Sequence, residues 1–303
     1  MHRLSFATEP TSGPHRPITV DWPFVGTEAL AAGAVTRHEL ATRYAAIYRN
    51  VYIPRGQHVT PAQRAHAAWL WSQRQATVVG VSAAAMHGAK WIDSHLPAEL
   101  NQASQHKTRN IVLHNDTLSS DEIATVRGMP VTTAARTAFD LGRRRGRTLA
   151  VIRVDALLQA TALKLSDIDT LIDRHPGARG IVQLREVVRL ADGGAESPQE
   201  TRTRLVLTDA GLRPRRTQID VFTRFGDHIH RIDMGWPEWK VGVEYDGEQH
   251  WTKPQIRAKD IDQQAEVEAL GWRLVRVSAE ILRYRPHTIV QRTRAALQAA
   301  GRN

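Results

Sequence analysis

The stretch RIDMGWPEWKVGVEYDGEQHW, residues 231–251, constrains the fold more than any other part of this chain. Val241, Val243 and Tyr245 alternate with Gly242, Glu244 and Asp246, a period of two that turns an apolar row to one side of a strand and both acids to the other. His228 to Met234 reads as a preceding strand, and Gly235, Trp236, Pro237 and Glu238 as a connection that returns the chain antiparallel. The hairpin so predicted carries Asp233 towards Glu244. Carboxylates that close repel each other unless a cation or a proton lies between them, and a hard, oxygen-rich site of this kind suits Mg²⁺ or Mn²⁺. The competing reading is a pair of solvated acids on an open sheet face, with Asp246-Gly247 as an ordinary turn.

The flanks add candidates. Ser197, Pro198 and Glu200 have the spacing of a capping box with proline at the first helical position, so Glu200 admits a capping role as well as a role as metal ligand. The helix they open runs through Arg202, Arg204, Leu205 and Leu207 and stops at Gly211. Arg213, Arg215 and Arg216 follow as a basic cluster, a phosphate track if it lies beside the acids and solvated surface otherwise. His250 stands out for its company, Gln249 and Trp251. His228 and His230 share one strand face, but the chain has no cysteine and offers no third zinc ligand there, so exposed strand histidines are the better reading.

Residues 195–299 resemble the very-short-patch-repair endonuclease-like domains, a branch of the PD-(D/E)XK nuclease superfamily. ESPQETRTRLVLTDAGLRPRRTQ, the hairpin and KDIDQQAEVEALGWRLVRV occur in the order such domains show. The resemblance implies a restriction-endonuclease-like mixed sheet flanked by helices, with Glu200, Asp233 and Glu244 as metal ligands. It also implies that His250 assists the water or the leaving group. The superfamily lysine two residues after the Glu is Asp246 here, which joins the catalytic set by position but removes the ammonium. Asp260, Asp262 and Gln263 stand where relatives carry an Asp followed by arginines.

The amino-terminal half is organised differently. GTEALAAGAVTRHELATRYAAIYRNVYIPRG contains a helix, a turn at Gly33 and a second helix opened by Thr36 with Glu39 in capping-box spacing. Tyr48, Val51, Tyr52 and Ile53 then form a short strand ending at Pro54-Arg55-Gly56. This is a winged-helix pattern that would offer Arg37, His38 and Arg43 to DNA, with Arg49 and Arg55 flanking the wing; a generic three-helix packing unit is the alternative. With SAAAMHGAKWI (82–92) and GMPVTTAARTAFDLGRR (128–144), residues 22–190 resemble the amino-terminal module of AbiEi-type antitoxins. That resemblance implies DNA or protein binding, with a partner from a toxin–antitoxin or defence system, and no chemistry. Ala135, Phe139 and Leu141 read as core, and Arg143, Arg144, Arg145 and Arg147 as a solvated helix end.

The expected α/β multidomain organisation is a disordered start (1–21), a winged helix-turn-helix (22–75), an α/β helical extension (76–190), a linker (191–195) and an endonuclease-like domain (196–303). A chain of 303 residues supports several cores, and a net charge of +10 with pI near 10.4 favours a polyanionic partner. Absence of cysteine excludes disulfides and thiol chemistry; no apolar run approaches a membrane span, and residues 1–20 lack the apolar core of a signal peptide. A cytoplasmic, DNA-binding, Mg²⁺- or Mn²⁺-dependent endonuclease in defence or repair is the expectation. The alternative is a non-catalytic transcriptional regulator or antitoxin carrying a degenerate nuclease fold.

Overall fold

Each of three sheets is built by a different stretch of the chain. The structure is a computed structural model that describes residues 21–103, 108–144, 146–247 and 263–301. The expected disordered start falls outside these residues but for Asp21, and His250, Asp260 and Asp262 fall outside them entirely.

In the first unit, β1 (Phe24–Val25) precedes α1 (Gly26–Ala31), α2 (Arg37–Arg43), β2 (Tyr44–Tyr48) and β3 (Val51–Pro54), and the strands lie in the antiparallel order β1-β3-β2. The Thr36 hydroxyl accepts the Glu39 N–H at 3.1 Å and the Glu39 carboxylate accepts the Thr36 N–H at 3.0 Å, the capping box expected from sequence. α2 gives way to strand at Tyr44, earlier than the sequence suggests. Tyr44 pairs with Pro54 and sets its ring edge-on to Phe24 at 5.0 Å, so tertiary packing draws it out of the helix.

The second unit has α3 (Pro61–Trp71), β4 (Thr77–Val78), α4 (Gly80–Met86), β5 (Ala98–Asn101), β6 (Ile111–His114), β7 (Ile123–Val126) and β8 (Met129–Thr132), with mixed strand order β6-β5-β4-β8-β7. The helices α5 (Ala134–Arg144), α6 (Arg147–Ala160), α7 (Leu165–Arg174) and α8 (Ile181–Leu190) follow. Phe139 and Leu141 are buried with Val151, Val154, Leu157 and Leu184, and Ala135 packs against them, as their spacing predicts.

Residues 191–195, expected as a linker, are an ordered connection: Ala191 and Ala195 are buried, and the Asp192 N–H donates to Asp155 Oδ1 at 2.7 Å. Next come α9 (Pro198–Asp209), β9 (Arg216–Phe222), β10 (His228–Trp236), β11 (Val241–Asp246), helical residues 263–269 (α10), β12 (Arg273–Ser278), α11 (Ala279–Tyr284) and α12 (Pro286–Ala299). The sheet order is β12-β11-β10-β9, antiparallel except for the parallel β11–β12 pair. Gly211, at φ +76°, ends α9 where expected. On one face Leu207, Met234, Val241, Val243, Val275 and Ile289 form a core; on the other Val267 of α10 packs on Ile219, Val221 and Ile232.

α9 belongs to both halves. Leu205 joins the core of the helical extension and Leu207 that of the last sheet. Arg204, 2 % exposed, pairs with Asp155 of α6 at 2.5 Å, and the Thr201 hydroxyl donates to the same carboxylate at 2.8 Å. The architecture is α/β, with mixed and antiparallel sheets flanked by helices. No helix among the described residues is long and apolar enough to cross a membrane.

Candidate functional site

The β10–β11 hairpin turns through a 3₁₀ segment, Pro237–Trp239, and Lys240 at φ +48°. Met234 pairs with Val243 and Gly235 with Gly242, so Asp233 comes level with the end of β11, where its carboxylate accepts the Tyr245 N–H at 2.7 Å. The alternation predicted for β11 is realised: Val241, Val243 and Tyr245 face the α9–α12 core, while Glu244 and Asp246 line a cavity of about 200 Å³ with His230, Asp233, Gln263 and Arg276. Parallel pairing sets Arg276 of β12 opposite Glu244, with its guanidinium 4.0 Å from Glu244 and 3.7 Å from Asp246.

Acids and cations meet here, Asp233, Glu244 and Asp246 with His230, Arg231 and Arg276. Burial, then the charges of Glu200 and Glu244, push the Asp233 carboxyl up to about 7, against the opposing Tyr245 hydrogen bond. Burial also raises the Glu200 carboxyl, and Glu196 adds to the effect. His230 Nε2 lies 2.5 Å from Glu244 Oε1, and that hydrogen bond raises the imidazole above its ordinary range. A carboxylate only accepts, so Nε2 carries the proton in this contact.

The capping box read at Ser197 and Glu200 is realised in part. The Ser197 hydroxyl accepts the Glu200 N–H at 3.2 Å, but the Glu200 carboxylate passes over the Ser197 N–H to accept from Glu196 N at 2.9 Å and Gln218 Nε2 at 3.0 Å. It is 8 % exposed and close enough to Asp233 to perturb it. Glu200, Asp233, Glu244 and Asp246 are thus drawn to one end of the sheet, whereas His250 lies outside the described residues.

The basic cluster expected beside the acids sits elsewhere. Arg216 pairs with Gly235 and Arg215 lies 3.8 Å from Glu238, which puts both at the turn end of the hairpin, away from His230 and Glu244; Arg213 donates to the Arg189 carbonyl at 2.9 Å. The cations at the cavity are Arg231 and Arg276. In the first unit Arg37 and His38 are exposed at the start of α2, Arg43 is 3.2 Å from Glu39, Arg49 is exposed beside the β2–β3 turn, and Arg55 donates to the Ala41 carbonyl at 2.9 Å.

Sequence reasoning missed His230 and Arg276. The strand alternation that turns Glu244 into the cavity also turns Arg276 towards it, between the buried Val275 and Val277, once β12 is known to lie beside β11. As to a metal, the donor chemistry fits a hard divalent cation: the acids are carboxylates, and burial with the charges of Glu200 and Glu244 raises Asp233, a shift that a cation there would oppose. The donors do not converge on one point, since no group of three or more His, Asp or Glu side chains among the described residues is arranged to hold an ion. Asp233 and Glu244 are the pair that would hold it, with Glu200 completing the set after leaving Gln218.

No family model matches the chain. It is similar to uncharacterised proteins from two strains of Mycobacterium tuberculosis, each 31 % identical over 175 residues, 58 % of this chain and 64 % of the relative. The match therefore spans less than two thirds of those relatives' length.

Proposed function

We propose that this protein hydrolyses phosphodiester bonds of DNA with the help of Mg²⁺ or Mn²⁺, at the cavity between β10, β11 and β12. The observation that carries this reading is Asp233, a half-buried carboxyl pushed up to about 7 beside two further acids in an open cavity that also holds a guanidinium. A carboxyl raised by burial and by neighbouring acids, set in an open cavity, supports this reading. A cation held by Asp233 and Glu244 would supply charge compensation for the phosphate and acidify water. Arg276 would bind a non-bridging phosphate oxygen through its donors, and its closeness to Glu244 and Asp246 would fix its orientation. His230 would hold a proton at Nε2 next to the reacting phosphate, with Glu244 favouring the charged ring.

In the same proposal the first unit is a winged helix that grips the duplex through Arg37, His38, Arg43, Arg49 and Arg55. Support comes from two short helices followed by the β2–β3 hairpin, with these side chains on the surface. A non-catalytic, DNA-binding regulator is the second reading. It is favoured by the engagement of Glu244 with His230 and of Glu200 with Gln218, which leaves these acids satisfied without a metal. Incubating purified protein with supercoiled plasmid in Mg²⁺, Mn²⁺ or EDTA separates the two. Cation-dependent nicking is expected, and DNA binding without cleavage under every condition would leave the regulator.

A further inference from the structure

The run Arg143, Arg144, Arg145, Arg147 looks in sequence like a solvated helix end, and the structure gives two of its members another setting. Arg143 and Arg144, at the end of α5, face a cavity of about 750 Å³ that is also lined by His114, Asp116, Arg179 and Gly180. That volume lies in the range of about 300–1,000 Å³ usual for small-molecule sites. Behind the cavity, Asp140, 2 % exposed, accepts from Arg143 Nε at 3.1 Å and from Nη2 at 2.7 Å. The Arg144 guanidinium is fixed on both sides, by Asp116 and by His114 Nδ1 at 3.1 Å from Nη1. The Glu99 carboxylate, 2.9 Å from His114 Nε2, orients that ring in turn.

Arg179 enters from the turn before α8. Gly180, at φ +86°, presses this turn against the end of α5: a Cβ there would stand 2.2 Å from the Arg143 carbonyl oxygen. Arg179 is exposed at the rim and has no acidic partner among the described residues. Three guanidinium groups thus line the cavity with one carboxylate, Asp116. Guanidinium forks already locked by acids behind them lose little side-chain freedom on meeting a planar or tetrahedral oxyanion.

We propose that this cavity is a phosphate-binding site, separate from the acidic site on the last sheet. Phosphate oxygens would bridge Arg179 to Arg143 and Arg144 and balance the charge of Arg179, since Asp140 and Asp116 already meet those of the other two. The group could be borne by a polynucleotide backbone or by a small free ligand, because both present the same oxygens.

The test uses full-length protein in EDTA, with inorganic phosphate and a duplex oligonucleotide lacking terminal phosphates as probes. Arg179→Glu is the main variant, since it breaks no ion pair. Arg185→Glu, exposed on α8 outside the cavity, matches its charge change, and Arg144→Lys keeps the charge but removes the fork. For a backbone site, duplex affinity falls at least tenfold in Arg179→Glu and in Arg144→Lys, but not in Arg185→Glu. For a small-ligand site, a saturable rise in Tm with phosphate disappears in the same two variants while duplex affinity holds. Wild-type behaviour of Arg179→Glu towards both probes, or an equal response in Arg185→Glu, overturns the proposal, as does a wild-type protein that binds neither probe.

Discussion

The helical extension and the last sheet each bury a cluster of charge, and they balance it in opposite ways. In the extension Glu122, Arg136, Asp140 and Arg143 alternate in sign along a chain of ion pairs, with His175 2.7 Å from Glu122 at one end. Burial acts to raise Glu122, yet the His175 hydrogen bond and the Arg136 charge hold it below the ordinary carboxylate range. Asp116 behaves the same way, burial being outweighed by the Arg144 hydrogen bond and the charges of Arg144 and Arg143. In the last sheet burial and like charges act together on Asp233 and push it up to about 7. Removing one partner of a matched buried pair strands the other charge, whereas acids brought together in a half-buried cavity raise one another at a cost that a bound cation would offset.

The contrast makes the two regions respond differently to the same kind of substitution. Arg204→Ala, which strands Asp155 in the core shared by α6 and α9, should lower stability by about 3–5 kcal/mol, and Arg136→Ala should act in the same direction. Chemical denaturation measures both. Burial already pushes Asp155 up to about 6 despite Arg204, so part of the cost will appear as protonation of Asp155 near neutral pH. A loss under 1 kcal/mol for Arg204→Ala would mean that the pair is not holding the halves together.

Asp233→Asn should do the reverse, raising Tm above pH 7 while removing cleavage. A group whose folded pKa is raised binds its proton more tightly when folded. Its contribution is therefore full below the unfolded carboxyl's pKa of about 4 and is lost as pH rises towards 7. Stability of the wild type should accordingly decline across that window, and Mn²⁺ should restore more of it at pH 8 than at pH 5.5, where the proton competes. Melting curves at the two pH values, with and without the cation, check this; equal shifts at both would count against a cation at Asp233.

Much of the acidic site was legible in the chain because it rests on local rules. The period of two in β11, the Ser197 cap and the Gly211 stop all act within a few residues and are realised, and the turn comes at Pro237 as expected, although β10 first runs on through Gly235 and Trp236. What was not legible depends on pairing or register. Arg276 reaches Glu244 only through the parallel β11–β12 contact, which no local pattern announces. His230 was read as an exposed strand residue, but pairing with β9 slips between His228 and His230, so a strict alternation does not carry across that point. Arg213, Arg215 and Arg216 are close to the acids in sequence and placed by β9 at the wrong end of the hairpin. The ion-pair chain of the extension joins residues from β5, β6, α5 and the turn before β7, and the same separation hid it.

The smallest effect separates the two roles of Glu200. Glutamine can keep the contact with the Glu196 N–H, whereas alanine loses it and should cost on the order of 1 kcal/mol. If Glu200 also serves the cation, Glu200→Gln keeps its Tm and loses cleavage. Normal plasmid cutting by Glu200→Gln would return the residue to a purely structural role.

A side-by-side plasmid assay of wild type, Asp233→Asn and Glu244→Gln, each with Mn²⁺ and with EDTA, tests the acidic site most directly. Wild-type protein in Mn²⁺ is predicted to convert supercoiled plasmid to open circles, with at least about a hundredfold loss in both variants and no conversion by any protein in EDTA. Nicking by either folded variant at the wild-type rate, or nicking that persists in EDTA, would contradict it.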